Sequence, residues 1–131
     1  MDQSDGSQVG HFSPPGVRSG VGRLCYSPEG KYLAVVAARS IHLLTGDTLE
    51  PVAELTGFKK QVNALTFSHD SRTLLSASHD GLIRIWDVGT ATVRSSFDWS
   101  IGPVTSVAFS PDGLLCAAAG HGGKIVVWDV D

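Results

Sequence analysis

Ser78-His79-Asp80 sets the three residue types of a nucleophilic relay side by side in a chain of 131 residues. Such a relay works only when serine, base and carboxylate converge from separate positions, a geometry that adjacent residues do not reach. No Gly-x-Ser-x-Gly elbow surrounds the serine either. The other histidines are His11, His42, His69 and His121. A metal needs three or four ligands around one point. His79 and His121 instead lie 42 residues apart in equivalent turns of a repeat, and read as solvated turn residues. "GVG" (20–22) lacks the further glycine and the following helix that cradle a phosphate. Cys25 and Cys116 make neither a C-x-x-C pair nor a disulfide framework, and read as reduced structural thiols. The expectation is no catalytic set, no metal and no cofactor.

An apolar fraction of 42% with 18% charged residues belongs to a soluble globular chain. Its length suits one domain. The net charge is −3 and the lysines and arginines are scattered, Lys59–Lys60 being the densest pair. That is too sparse for a phosphate backbone, so nucleic acid is not an expected partner. No apolar run approaches the ~18 residues of a membrane helix, and a membrane is not expected either. The first residues, "MDQSDGSQVG", are polar and acidic, unlike a secretory leader. A cytoplasmic location is the expectation.

The elements that position these residues repeat. "VNALTFSHDSRTLLSASHDGLIRIWDV" (62–88) falls on "VTSVAFSPDGLLCAAAGHGGKIVVWDV" (104–130) without a gap. A weaker copy, "VGRLCYSPEGKYLAVVAARSIHLL" (21–44), lies in the same register but lacks one residue near Arg39 and has Leu44 in place of the tryptophan. Within each copy, apolar residues alternate as in strands. "SPEG" (27–30), "SPDG" (110–113), "HDG" (79–81) and "HGG" (121–123) are turn chemistry. First strands are expected near 21–26, 62–67 and 104–109, and fourth strands about Val52–Leu55 and Val93–Phe97. No stretch carries a helical period. Leu33, Leu74 and Cys116 share one core slot.

Two in-register copies ending in Trp86-Asp87 and Trp128-Asp129 resemble the WD-repeat β-propeller family. The resemblance implies an all-β chain of about three four-stranded antiparallel blades, the last incomplete, packed face to face around a channel. It also implies a network joining a Gly-His histidine, a turn aspartate, a strand serine or threonine, and the tryptophan. Blade two keeps Gly57, Asp80, Trp86 and a choice of Ser76 or Ser78, but Phe58 stands where the histidine would be. Blade three has Ser100 and Gly122 in the histidine and aspartate places. Apolar packing is expected to hold the sheets instead, and Phe58→His is expected to add about 1 kcal/mol by restoring the network.

Residues 1–14 read as a flexible tail and 15–131 as the repeat domain, with blade one about 21–55, blade two about 62–97 and blade three about 104–131. Closed propellers usually have 4–8 blades. Three blades therefore imply the remainder of a longer propeller or a homo-oligomer, with "QVGHFS" (8–13) pairing beside Ile125–Trp128 of a partner chain. The function that the resemblance implies is a non-catalytic scaffold for protein partners. The alternatives are a truncated propeller without independent function, or part of a propeller enzyme. Loops before each first strand are the candidate partner surface: Phe58, Lys59 and Lys60 in one, Trp99 and Ile101 in the next. Aromatic residues beside cations are the composition of interface anchors. Asp80, Trp86, Asp87, Trp128 and Asp129 are the structural residues of the repeat.

Overall fold

The computed structural model describes residues 6–8, 10–15 and 20–130, so residues 1–5 and 9 of the expected tail lie outside the described residues. Blade one is built from β1 (Val21–Tyr26), β2 (Tyr32–Ala37), β3 (Ser40–Thr45) and β4 (Pro51–Leu55). Blade two has β5 (Val62–Phe67), β6 (Thr73–Ser78), β7 (Leu82–Asp87) and β8 (Thr92–Asp98). Blade three has β9 (Val104–Phe109), β10 (Leu115–Gly120) and β11 (Ile125–Asp129). Every strand pairs antiparallel with the next, in the orders β1-β2-β3-β4, β5-β6-β7-β8 and β11-β10-β9. The three first strands occupy the ranges that the repeat spacing sets out. Among the described residues, blade three lacks a fourth strand.

Serine and aspartate side chains hold the turns. Ser68 Oγ donates to Asp70 at 2.6 Å, while Asp70 accepts the Arg72 N–H. Ser110 and Asp112 repeat the device with the Leu114 N–H. These donors, the serine hydroxyl foremost, hold both carboxyls below the usual carboxylate range. Such local bonds favour a turn over continued strand.

The core lies between blades. Ala34, Val36, Ile41 and Leu43 of blade one meet Phe58, Val62, Phe67, Leu74 and Trp86 of blade two. Leu75, Ala77, Ile83 and Ile85, on the other face of blade two, meet Ile101, Val104, Cys116, Ala118 and Trp128. The same face of blade three carries Ala117, Ala119, Ile125 and Val127. Its large residues stay in water, Ile125 at 73% and Val127 at 58% exposure. Burying a side chain of that size contributes about 1.5–3 kcal/mol, so this face forgoes what its two counterparts gain.

Within the chain, the described residues of the 8–13 segment lie against blade one. They are irregular, and Phe12 packs on Leu33, Val35 and Leu44 of its own blade one. The Phe12 ring lies 5.5 Å from that of His42. Gly10 allows this seat: a Cβ there would stand 2.5 Å from the Thr48 carbonyl oxygen. A segment tethered beside an apolar face reaches it with little loop-closure cost.

The two tryptophans that close the repeats differ in one bond. Trp86 Nε1 donates to Ser76 Oγ at 2.9 Å. Trp128 Nε1 is buried without a partner, because Ala118 holds the register position of Ser76. Ala118→Ser is therefore expected to stabilise the chain by about 1 kcal/mol. Urea midpoints check this, and a variant less stable than the parent would contradict the geometric equivalence.

Candidate partner surface

The connections β2–β3, β4–β5, β6–β7, β8–β9 and β10–β11 share one rim. On it, Lys59 and Lys60 are exposed as expected of surface residues. Phe58 is not. It is 6% exposed, and its ring centroid lies 5.6 Å from that of Trp86. The Arg84 guanidinium covers the ring at 4.9 Å, and its Nη2 donates to the Gly57 carbonyl at 3.4 Å. Phe58 belongs to the inter-blade core because an aromatic ring beside Trp86 gains more from burial than from water.

The network around Asp80 is thereby split. Ser78 Oγ and the Leu82 N–H both donate to Asp80 Oδ1, and Asp80 Oδ2 is buried with no partner. Burial works to raise the Asp80 carboxyl, yet the Ser78 and Leu82 donors, helped by Arg84, hold it below its ordinary value. The Ser78 hydroxyl thus points its proton at Asp80. The expected gain from Phe58→His also reverses. The substitution would regain about 1 kcal/mol from one hydrogen bond but forfeit about 1.5–3 kcal/mol of aromatic burial. A net loss of about 1 kcal/mol is expected in thermal unfolding, and a rise in midpoint would show that the orphaned Oδ2 dominates.

Ile101 is the second residue to leave the expected surface, at 6% exposure within the core between blades two and three. Gly120 explains it. Its equivalent in blade two is Ser78, whose side chain occupies the corresponding space. A Cβ on Gly120 would overlap the Ile101 carbonyl oxygen and come within 3.0 Å of the Ile101 Cβ. With that side chain missing, the 99–103 connection sinks inward and takes Ile101 with it. Trp99 stays at the rim, 37% exposed. Its ring stacks on Phe97 at 5.3 Å and 9° and tilts against Trp128 at 5.7 Å. Ring against ring, it is held in place while one face remains wet.

Among the remaining singled-out residues, Asp87 caps the β7–β8 turn by accepting the Thr90 N–H at 3.1 Å. Asp129 is exposed at the end of β11. Cys116 is buried, which pushes its thiol up to about 11. The fold also brings together residues that had not been grouped in the sequence. Arg39, Lys60, Gln61 and His79 line one cleft of about 240 Å³ between blades one and two. Three separate segments supply them, so no linear motif announces the cleft. A larger cavity of about 550 Å³ opens beside the first strands, lined by Val21, Arg23, Gln61, Asn63 and Thr105 among others.

The WD domain, G-beta repeat family matches residues 49–87 and 93–129. "Target of rapamycin complex subunit wat1" of Schizosaccharomyces pombe is 32% identical over 82 residues, covering 61% of this chain and 26% of that protein. "Target of rapamycin complex subunit LST8" of Saccharomyces cerevisiae is 30% identical over 91 residues, 68% of this chain and 30% of that protein. "WD repeat-containing protein 1" of Gallus gallus is 40% identical over 77 residues, 56% of this chain and 13% of that protein. The chain thus spans a third or less of the length of these relatives. The β-propeller domain of Cps50 (Swd1) from Myceliophteria thermophila superposes with a TM-score of 0.77 at 22% identity, over 87% of this chain and 37% of that one. That likeness concerns the fold alone. With more than half of its residues matched by the repeat family and its sheets arranged as propeller blades, this chain belongs to the WD-repeat family.

Proposed function

We propose that this chain is a non-catalytic protein-interaction scaffold that binds partners through the rim carrying Lys59, Lys60 and Trp99. Trp99 carries the reading: a large aromatic pinned by Phe97 and Trp128, half in water, is ordered before any partner arrives. Pre-ordered aromatic anchors lose little entropy on binding. Two relatives are named as subunits of a complex, which supports a role in holding proteins together. Within this reading residues 15–131 form the interaction domain, with blades about 21–55, 62–97 and 104–131, residues 1–14 are a tail, and the cytoplasm is the compartment. A photoreactive phenylalanine at position 59 tests it. One identified protein should be captured there and not from position 29 on the opposite rim. Equal capture from both positions, or none, would overturn the reading.

A second reading concerns the bare face of blade three. We infer that Ile125 and Val127 are seats for a further blade, from the remainder of a longer propeller or from a second copy. Its support is the repeat itself, since the equivalent Ile83 and Ile85 are covered by blade three. Light scattering should find the full chain in species larger than 13.8 kDa, and Val127→Lys should shift it toward that mass. A well-folded 13.8 kDa species that binds no hydrophobic dye would refute the inference.

A further inference from the structure

Charge on this molecule is sorted by rim. The net charge is −3, and Glu29, Asp47, Glu50, Asp70 and Asp112 crowd the turns of one rim, beside only Lys31 and Arg72 among the described residues. The opposite rim carries Arg39, Lys59, Lys60 and Lys124. Among the described residues, the carboxylates in its turns and at its strand ends are engaged locally, Asp80 with Ser78 and Leu82 and Asp98 with the Ser100 N–H. Within that rim, Arg39 comes from the β2–β3 turn, Lys60 and Gln61 from the β4–β5 connection, and His79 from the β6–β7 turn, and they converge on one cleft whose described lining includes no carboxylate.

The backbone presets the cleft. The His79 N–H donates to the Gln61 carbonyl at 2.9 Å, tying two of its walls together. Arg39 sits in a two-residue turn made tight by Ala38 at a φ of 56°. Like charges held together oppose one another unless an anion relieves them. At about 240 Å³, the cleft is smaller than the roughly 300–1,000 Å³ of small-molecule pockets, and matches a single side chain.

We propose that the cleft lined by Arg39, Lys60, Gln61 and His79 receives one anionic side chain, carboxylate or phosphoryl, of an acidic segment in a protein partner. Arg39 supplies a planar fork of donors suited to either anion, Lys60 a point charge, and Gln61 and His79 further donors. The proposal rests on the scaffold reading and gives its partner a chemistry.

The test uses the full chain with three labelled peptides of one sequence, carrying glutamate, phosphoserine or glutamine at the central position, and reads fluorescence anisotropy. The glutamate or the phosphoserine peptide should bind, and whichever is tighter identifies the source of the anion. The glutamine peptide should bind at least ten-fold more weakly. Arg39→Ala with Lys60→Ala should weaken the acidic peptide at least ten-fold, whereas Lys124→Ala on the same rim should leave it within about two-fold. Equal binding of the glutamine peptide, no binding of any peptide, or an unaffected double variant would overturn the proposal. So would a single-stranded oligonucleotide that binds more tightly than either acidic peptide. A protein still captured from position 59 by the double variant would overturn the cleft's role while leaving the scaffold reading intact. Loss of capture in the parent chain would remove that reading itself.

Discussion

Trp86→Ala is expected to destabilise the chain by about 3–5 kcal/mol. The indole lies almost wholly out of water on β7 and joins both sides of the first inter-blade core, touching the cluster of Ile41, Leu43 and Leu55 as well as Phe58, Val62 and Leu74. Truncation opens a cavity shared by two blades, which neither can collapse alone. It also strands the Ser76 hydroxyl, whose partner in the protein is the indole N–H. A buried unsatisfied hydroxyl adds about 1–3 kcal/mol, which places the expectation at the upper end of the range. Against a typical domain stability of about 5–15 kcal/mol, the variant should be close to unfolded at 37 °C. Urea titration followed by circular dichroism measures the loss. Trp86→Phe separates its parts, since it keeps much of the ring volume and removes only the bond. A neutral Trp86→Ala would mean that the two blades do not share a core.

Gly120→Ala should cost about 3 kcal/mol, far beyond what one added methyl ordinarily brings. The new Cβ falls on backbone, the Ile101 carbonyl, and not on a side chain that can swing away. Relief requires the 99–103 connection to rise, which draws Ile101 out of the core. The forfeited burial is about 1.5–3 kcal/mol, and overpacking adds about 1–3 kcal/mol when relief is incomplete. Trp99 would move with the connection and lose its stack on Phe97. Its fluorescence should shift to longer wavelength in the folded variant, at denaturant levels where Trp86 still reports a native core. If stability and Trp99 emission both match the parent, the connection does not occupy the space that Gly120 vacates.

The strands and their register were readable because spacing and alternation are local properties. Val62, Leu65 and Phe67 predict β5 as surely as Val104, Val107 and Phe109 predict β9. Burial of connections was not readable in the same way. The neighbours Lys59 and Lys60 point Phe58 to the surface, yet its place is set by Trp86, far along the chain. Its neighbour Trp99 points Ile101 the same way, yet a missing side chain on β10 decides its position. The signal for Ile101 did exist: Gly120 and Gly122 stand where blade two has Ser78 and Asp80, so the space those side chains fill was open. The cationic cleft had no such trace, because Arg39, Lys60 and His79 become neighbours only after two blades have packed.

Phe12 gives the two ends of the blade row unlike characters. At the blade-one end the outer face is shuttered by the chain's own residue, and at the blade-three end Ile125 and Val127 stand open. A shutter carried on the same chain as its seat acts at an effective concentration on the order of millimolar. Any incoming neighbour at that end must evict it, and its apparent affinity falls by the fraction of time the seat is free. Head-to-tail contacts that do not close grow into filaments. If copies of this chain were to add head to tail, each addition would join an open end to a shuttered one, and a single phenylalanine outside the blades would brake every step.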